Sequence, residues 1–212
     1  MATDPLVLVG GGGHCLSCID VIDSTMRFEI LGILDLPEKQ KIRVLKYEII
    51  GTDDDIERYL QSCRNFFVTI GHIKNPRPRI STFQLLKKIG VTIPSIISPR
   101  AYVSSYAEIG EGTIVMHGAI VNANARIGAN TIINTGAIIE HNAKIGDHTH
   151  ISTQAVVNGD CTIGDRVFVG SNAVFANGVS IADDIIVGAG AVVVRSFIQP
   201  GTYVGNAARK IR

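Results

Sequence analysis

Histidines are the side chains of this 212-residue chain best suited to move protons near neutral pH. The six of them are His14, His72, His117, His141, His148 and His150. An imidazole titrates near pH ~6.5 and can remove a proton from an amine or hydroxyl placed beside it. His141 and His150 lie nine residues apart in the segment INTGAIIEHNAKIGDHTHIS, and this pair is the first candidate for acid–base chemistry.

A glycine-rich segment, VGGGGHCLSCID at residues 9–20, is the second candidate. It follows the apolar run LVLV and precedes apolar residues at helical spacing, which predicts a strand, a tight turn and a helix start. Backbone N–H groups at a helix N-terminus bind phosphate, and Gly12, Gly13 and His14 are the closest to such a ligand. A dinucleotide fingerprint needs a third glycine where this chain has Cys15 or Leu16, so a nicotinamide cofactor is not expected.

The second half of the chain repeats every six residues. From Ile97 to Val193, all seventeen positions spaced by six are apolar, and sixteen of them are Ile or Val. The residue two before each of these positions is small over most of the run, as at Ala119, Ala137 and Ala155. This period fits neither an amphipathic helix nor simple strand alternation. It predicts short strands that each send one large apolar residue inward, with a small residue where the chain bends.

Three such strands make one coil of eighteen residues. Coils stack at about 4.8 Å, the distance between paired strands, so about five coils form a prism roughly 25 Å long. His141 lies near a corner of this prism, and His150 follows one and a half faces later. Within one chain the two histidines should therefore point in roughly opposite directions. They can meet only if neighbouring subunits supply one each, which favours active sites at subunit interfaces.

The first half alternates strands and helices, which predicts a small parallel sheet of Rossmann-like α/β type. The predicted strands are LVLV, FEILGIL and NFFVTIG, and the predicted helices begin in HCLSCID, GTDDDIERYLQSC and RISTFQLLKKIG. We expect a Rossmann-like domain over residues 1–95 and a β-helix domain over residues 96–212. Asp35, at the end of the second strand, can accept hydrogen bonds from the base or ribose of a nucleotide.

Composition excludes several classes of protein. The net charge of +1 and an aromatic content of 6% argue against a nucleic-acid-binding surface. No apolar run approaches the length of a membrane span, and no signal peptide is evident. We therefore expect a cytoplasmic protein without a membrane partner. Its four cysteines are expected to be free thiols, as is usual in cytoplasmic proteins. Cys15 and Cys18 are not expected to bind zinc, because the chain has no second such pair.

Several segments together resemble one family of bacterial enzymes. INTGAIIEHNAKIGDHTHIS is similar to the catalytic coil of hexapeptide acyltransferases that modify amino sugars. VGGGGH, the LD and VTIG strand ends and the closing VGNAARKIR extend the likeness over the whole chain. The relatives are the bacillosamine-pathway UDP-amino-sugar N-acetyltransferases and the sialic acid O-acetyltransferases. The resemblance implies a left-handed parallel β-helix, acetyl-CoA as co-substrate, no metal and a homotrimer. Weakly charged prism faces also favour a trimer.

The resemblance also assigns roles to residues. It makes His141, in the IEH motif, the general base, and it places His150 beside the thioester of acetyl-CoA. Gly159, Ser171 and Ala189 match positions that line the coenzyme groove, and Asn134 matches an asparagine near the acceptor amine. The residues expected to contact the acceptor are Gly12, Gly13, His14, Asp35, Leu36, Gly71 and Asn134.

One position departs from the family pattern. An acidic residue usually follows the base, whereas this chain has Asn142. An amide can orient an imidazole but cannot stabilise its charged form as a carboxylate does. Glu140 or Asp147 could take over that role, so the sequence leaves open which group orients His141.

Three other functions remain open at this stage. The enzyme could acetylate a hydroxyl of sialic acid or a related nonulosonic acid, although a phosphate-binding loop favours a nucleotide-linked amino sugar. The chain could be a non-catalytic sugar-nucleotide-binding protein. A zinc enzyme of the carbonic anhydrase class that shares the prism fold needs three converging histidines, and the histidine spacing here does not match that class. The nucleotide cannot be read from the sequence.

Overall fold

A computed structural model describes residues 3–211. Its N-terminal part is a sheet of five strands with helices packed on it, in the strand order β3-β4-β2-β1-β5. The strands are β1 (Asp4–Val9), β2 (Phe28–Leu34), β3 (Arg43–Val44), β4 (Tyr47–Gly51) and β5 (Asn65–Val68). The helices are α1 (Gly13–Thr25), α2 (Ile56–Tyr59) and α3 (Arg77–Ile89), with single 3-10 turns at Pro37–Lys39 and Asp53–Asp55.

The N-terminal sheet is mixed rather than wholly parallel. β1 pairs in parallel with β2 and β5, and β4 pairs in parallel with β2, but β3 pairs antiparallel with β4. The sequence predicts three strands and misses this edge hairpin, because β3 is two residues long and neither strand has a clear alternating pattern. The edge hairpin is therefore a correction to the predicted parallel sheet.

Two helices follow their sequence signals, and one is shorter than expected. α1 begins directly after the glycines, and α3 ends at Gly90, whose φ of 79° is typical of a helix C-cap. The segment GTDDDIERYLQSC predicts a full helix but forms a 3-10 turn and then α2. Thr52 does start this helical segment, in a capping box with Asp55.

The rest of the chain is a left-handed parallel β-helix with three faces. The first face is built from β6 (Ile96–Ile97), β9 (Ile114–Val115), β12 (Ile132–Ile133), β15 (His150–Ile151), β18 (Phe168–Val169), β21 (Ile185–Val187), β23 (Gly201–Val204) and β24 (Arg209–Lys210). The second is built from β7 (Tyr102–Val103), β10 (Ile120–Val121), β13 (Ile138–Ile139), β16 (Val156–Val157), β19 (Val174–Phe175) and β22 (Val192–Val193). The third is built from β8 (Glu108–Ile109), β11 (Arg126–Ile127), β14 (Lys144–Ile145), β17 (Thr162–Ile163) and β20 (Ser180–Ile181).

The six-residue repeat fills the interior of this prism as predicted. In each two-residue strand the second side chain points inward, and from Val115 to Val193 these residues are buried. The small residues at the bends, such as Ala137 and Cys161, are also fully buried. At the first coil Ile97 remains 38% exposed, because no preceding coil covers it. At the other end, Phe197 stacks on Tyr203 with 3.9 Å between ring centroids and closes the core.

The first face joins the prism to the N-terminal sheet. Its outward residues Ile96, Ile114 and Ile132 are buried in one cluster with residues of α1 such as Ile19 and Ile22. Burying apolar area on both sides of a short strand stabilises the joint by about 25 cal/mol per Å². Met116 and Asn130 are buried here as well, so this weakly charged face is covered within the chain.

The other two faces differ in polarity. The outward residues of the second face form an apolar stripe: Tyr102, Ile120, Ile138, Val156, Val174 and Val192. The outward residues of the third face are all polar: Glu108, Arg126, Lys144, Thr162 and Ser180. Within residues 3–211, none of the helices is both long and apolar enough to cross a lipid bilayer.

Candidate active site

A cavity of about 600 Å³ opens where the carboxyl ends of β1, β2 and β5 meet the N-terminus of α1. Ligands in open α/β sheets bind at this edge because loops and helix N-termini converge there. We call it the glycine-loop cavity. Its lining residues are Gly10, Gly11, Gly12, Gly13, His14, Asp35, Leu36, Lys39, Thr69, Ile70, Gly71, His72, Ile73, Pro78 and His150.

The glycine loop is shaped by Asp35. The Oδ2 atom of Asp35 accepts a hydrogen bond from the N–H of Gly11 at 2.8 Å and another from Nζ of Lys39 at 2.9 Å. A side chain at Gly12 or Gly13 would meet none of the described atoms within 4 Å, so both glycines border open space in the cavity. The first N–H groups of α1 have no acceptor inside the helix and can bind an anion there.

Asp35 stays ionised in this position. Burial alone would raise the pKa of its carboxyl, but hydrogen bonds from Lys39, Leu36 and Gly11 outweigh that effect and lower the pKa. The sequence predicts that Asp35 binds a base or ribose. In the structure its oxygens accept bonds from the loop, and the Oδ1 atom, bonded to the N–H of Leu36, keeps a free lone pair for a ligand.

Three histidines from distant parts of the chain meet at the cavity. The ring centroid of His150 lies 6.2 Å from that of His14 and 5.6 Å from that of His72. Burial lowers the pKa of His14 and of His72 to about 3 and that of His150 to about 4. The nearby charge of Arg79 acts in the same direction on all three. At neutral pH these rings are therefore uncharged.

The tautomer of His150 is fixed by its two neighbours. Its Nδ1 lies 2.8 Å from the backbone carbonyl of His72 and must donate, because a carbonyl oxygen only accepts. Its Nε2 then accepts from Nδ2 of Asn134 at 3.1 Å. Both nitrogens are thus engaged, whereas Nε2 of His14 and both ring nitrogens of His72 have no hydrogen-bond partner within residues 3–211. All three atoms are buried, so their hydrogen-bonding capacity is unmet inside the protein.

Arg79 lies beneath the cavity, fully buried between the sheet and the prism. Its guanidinium donates to the carbonyls of Val68 at 2.9 Å and Ile70 at 2.8 Å on the sheet, and to that of Asn130 at 3.0 Å on the prism. Among the described residues, no carboxylate pairs with it. Burial lowers its pKa to about 10, so it keeps its charge at neutral pH and gives the cavity a fixed positive potential.

His141 occupies a different place, exposed at the corner between the second and third faces. Its ring covers Gly159, one coil further along: a Cβ on Gly159 would lie 2.6 Å from Cε1 and 2.8 Å from Nε2 of His141. Gly159 therefore leaves the space that the imidazole occupies. Asn142 follows, with Nδ2 3.4 Å from Nδ1 of His141 and 2.9 Å from Oδ1 of Asp160.

Two family profiles match the chain. The PglD N-terminal domain matches residues 5–84, and the bacterial transferase hexapeptide family (six repeats) matches residues 124–159 and 160–195. No curated protein matches the chain in a sequence search.

Solved structures match nearly the full length. PerB, the perosamine N-acetyltransferase from Caulobacter crescentus, was solved in complex with CoA and GDP-perosamine and is 31% identical with a TM-score of 0.92. The match covers 100% of this chain and 99% of that one. This chain belongs to the acetyl-CoA-dependent sugar N-acetyltransferases. The acetyltransferase domain of PglB from Neisseria gonorrhoeae FA1090 is 28% identical with a TM-score of 0.90, covering 99% of this chain and 100% of that one.

The structure of this acetyltransferase sorts the predicted site residues into three places. The glycine-loop cavity brings together Gly12, Gly13, His14, Asp35, Leu36, Gly71 and His150, with Asn134 beside them. His141, Asn142 and Gly159 share the corner between the second and third faces. Ser171 and Ala189 lie at the corner between the first and second faces, where Oγ of Ser171 is 3.1 Å from Oγ of Ser152. The roles of these residues stay predictions. Within one chain, His150 lies on the first face and His141 lies at the corner between the second and third faces.

Sequence reasoning missed the side chains of Lys39 and His72 in the cavity and that of Arg79 beneath it. Lys39 has a local signal, since it lies four residues after Asp35 and carries the charge a phosphate needs. His72 follows Gly71 at the end of a predicted strand, which also places it at the ligand edge of the sheet. Arg79 has no such signal, because only the packing of α3 against the prism brings it under the cavity.

One further chain of polar contacts in the acetyltransferase is structural. Nδ1 of His117 is 2.6 Å from Oγ of Ser98, and Nε2 of His117 is 3.0 Å from Oδ2 of Asp20. This chain of contacts has the composition of a hydrolase triad, but Ser98 is only 1% exposed and its hydroxyl accepts from the N–H of Arg100. It connects α1 to the prism. In the part of the chain described, no three His, Cys, Asp or Glu side chains are placed so that they could hold one metal ion.

Proposed function

We propose that this enzyme transfers the acetyl group of acetyl-CoA to the amino group of a nucleotide-linked amino sugar, with His141 as general base. The observation that carries the proposal is the composition of the glycine-loop cavity. A helix N-terminus, Lys39 and the buried Arg79 favour phosphate groups. The neutral imidazoles of His14, His72 and His150 line the cavity and add polar surface without adding charge.

The cavity also suits the amine as a nucleophile. Only the neutral amine has the lone pair that attacks a thioester carbonyl. The positive charge of Arg79 and the low polarity of the buried site both disfavour an ammonium ion. The relatives support the same chemistry: the Caulobacter enzyme was solved with CoA and GDP-perosamine, and the PglB domain with acetyl coenzyme A.

We propose a homotrimer with active sites between subunits. The apolar stripe of the second face is a continuous sheet surface that a neighbouring prism can cover. Such packing brings the His141 corner of one subunit towards the Asn134 corner and the glycine-loop cavity of the next. Gly159 would then line one side of the coenzyme groove, and Ser171 and Ala189 the other. Asn134 would bind near the acceptor amine, next to His150.

The proposed reaction is direct transfer without an acyl-enzyme. The amine nitrogen attacks the thioester carbonyl carbon, and His141 accepts the proton that the nitrogen loses. Backbone N–H groups at the prism corner stabilise the oxyanion. The C–S bond then breaks, and the proton passes from His141 to the departing CoA thiolate, which restores the neutral imidazole.

The test compares acceptors and one variant. GDP-, UDP- and dTDP-linked amino sugars and free nonulosonic acids are offered with acetyl-CoA, and the released thiol is measured. We expect transfer to a nucleotide-linked amine and loss of that transfer in His141→Ala, with the trimer intact by sedimentation. Transfer to a nonulosonic acid alone would favour the O-acetyltransferase. Full activity of His141→Ala would refute the assigned base, and no transfer to any acceptor would favour a sugar-nucleotide-binding protein.

A further inference from the structure

The side-chain amide of Asn142 is held in one orientation. Its Nδ2 donates to Oδ1 of Asp160 at 2.9 Å, and a carboxylate can only accept. Its Oδ1 accepts from Nδ2 of Asn124 at 2.8 Å. Exchanging the amide nitrogen and oxygen would place Oδ1 against the carboxylate of Asp160. The carboxylate therefore fixes which atom of Asn142 faces His141.

The backbone reinforces this arrangement. Asn124, Asn142 and Asp160 have φ values of 59°, 62° and 61°, so all three lie in the left-handed region at the same corner of successive coils. Asn and Asp are the side chains that tolerate this region best after glycine. The regular stacking of the coils thus sets the side chains in line, each bonded to the next.

The remaining N–H of Asn142 determines what His141 can do. Nδ2 of Asn142 is 3.4 Å from Nδ1 of His141, which makes Nδ1 an acceptor in a long hydrogen bond. A neutral imidazole has one N–H, so a ring that accepts at Nδ1 carries its proton on Nε2. A carboxylate in the place of Asn142 would do the opposite, because it accepts from Nδ1–H and leaves the Nε2 lone pair free to take a proton.

We infer that Asn142, held by Asp160, biases the neutral ring of His141 towards the tautomer with the proton on Nε2. Asn142 is thus a positioning residue that lowers the rate, and the enzyme works from the less populated tautomer. The inference rests on the proposed role of His141 as base. It also gives Asp160 a function that requires no contact with the substrate, because its carboxylate holds the amide of Asn142 in place.

The kinetic test uses variants that fit the backbone. Asn142→Gly removes the amide without strain at positive φ, and the double variant Asn142→Asp/Asp160→Asn supplies a carboxylate without setting it against a second carboxylate. Since one hydrogen bond contributes modestly, we expect kcat to rise about two- to tenfold in each. Asp160→Asn lets the amide of Asn142 turn and should raise kcat less. Asp165→Asn makes the same charge change at another corner and should leave kcat unchanged. A fall in kcat for Asn142→Gly would overturn the inference.

A spectroscopic test does not depend on activity. The imidazole ¹⁵N shifts of His141 are measured in labelled protein without substrates and assigned by their loss in His141→Ala. We expect a protonated Nε2 in the unmodified protein and a shift of the proton to Nδ1 in the double variant Asn142→Asp/Asp160→Asn. A proton already on Nδ1 in the unmodified protein would overturn the inference. If His141→Ala were fully active, the proposal that His141 is the base would be refuted. The measured tautomer would still show whether the contact with Asn142 places the proton on Nε2.

Discussion

Replacing Gly159 by alanine tests whether the imidazole of His141 must lie where the structure places it. The added Cβ would lie 2.6 Å from Cε1 and 2.8 Å from Nε2 of His141. Carbon atoms in contact are normally about 3.5–4.0 Å apart, so the ring must move by about 1 Å. A misplacement of that size can cost about 10²-fold in rate, which corresponds to about 2.7 kcal/mol of transition-state stabilisation.

The stability of the fold should change little in this variant. Gly159 is not among the glycines with positive φ, so alanine fits its backbone. His141 is exposed and can turn into solvent without opening a cavity in the core. We therefore expect a free energy of unfolding within about 0.5 kcal/mol of the unmodified protein.

Three measurements separate the possible causes of a rate loss. Steady-state kinetics gives kcat and KM, thermal denaturation gives stability, and calorimetry gives the affinity for CoA. We expect a loss in kcat with unchanged stability and unchanged CoA affinity. A normal kcat would refute the required ring position. A weaker CoA affinity with normal kcat would instead show that Gly159 acts by lining the coenzyme groove.

Three further predictions concern stability and assembly. Arg79→Met removes the donor from buried carbonyls on both sides of the joint and should cost about 3–5 kcal/mol in urea denaturation; an unchanged midpoint would show that water replaces the guanidinium. The folded pKa values of His14, His72 and His150 lie below the unfolded value of 6.5, so the unfolded chain binds more protons and stability falls as pH drops from about 6.5 towards 4. By pH 5 each histidine should cost up to about 2 kcal/mol, and equal unfolding midpoints at pH 7 and pH 5 would contradict this. Val156→Lys places a charge in the apolar stripe and should yield monomers in sedimentation, whereas an intact trimer would exclude this face as the interface.

The prism could be predicted almost completely because its rule is local. Each strand needs one inward apolar residue, such as Ile133 or Val157, and the next strand needs another six residues later. The same rule explains why the faces were harder to read. Which outward residues are covered depends on a spacing of eighteen, which groups Ile114 with Ile132 on one face and Ile138 with Val156 on another.

The cavity could be predicted only in part. The glycines and Asp35 follow from the strand–turn–helix pattern, because that pattern fixes where the carboxyl ends of strands lie. The meeting of His72 and His150 depends on how the sheet packs on the prism, and no sequence period records that packing. The strand β4, which lies between β3 and β2, escapes prediction for a related reason, since pairing with β2 rather than its own composition makes it a strand.

The separation of the histidines into two groups has a chemical reason. A buried imidazole whose pKa is about 3 or 4 is a weak base at neutral pH, so His14 and His150 cannot accept the proton of an attacking amine efficiently. Their neutrality is useful in the cavity, where they can bind a neutral acceptor without adding charge. A base needs a place where its protonated form is solvated or paired, and His141 lies exposed at a prism corner.

If subunits meet along the second face, acceptor binding and proton removal are performed by different subunits. A mixed trimer of His141→Ala and His14→Ala subunits should then recover activity at those interfaces that receive one intact residue from each parent, while homotrimers of either variant stay inactive. Absence of recovery in assembled mixed trimers would mean that both residues act within one subunit.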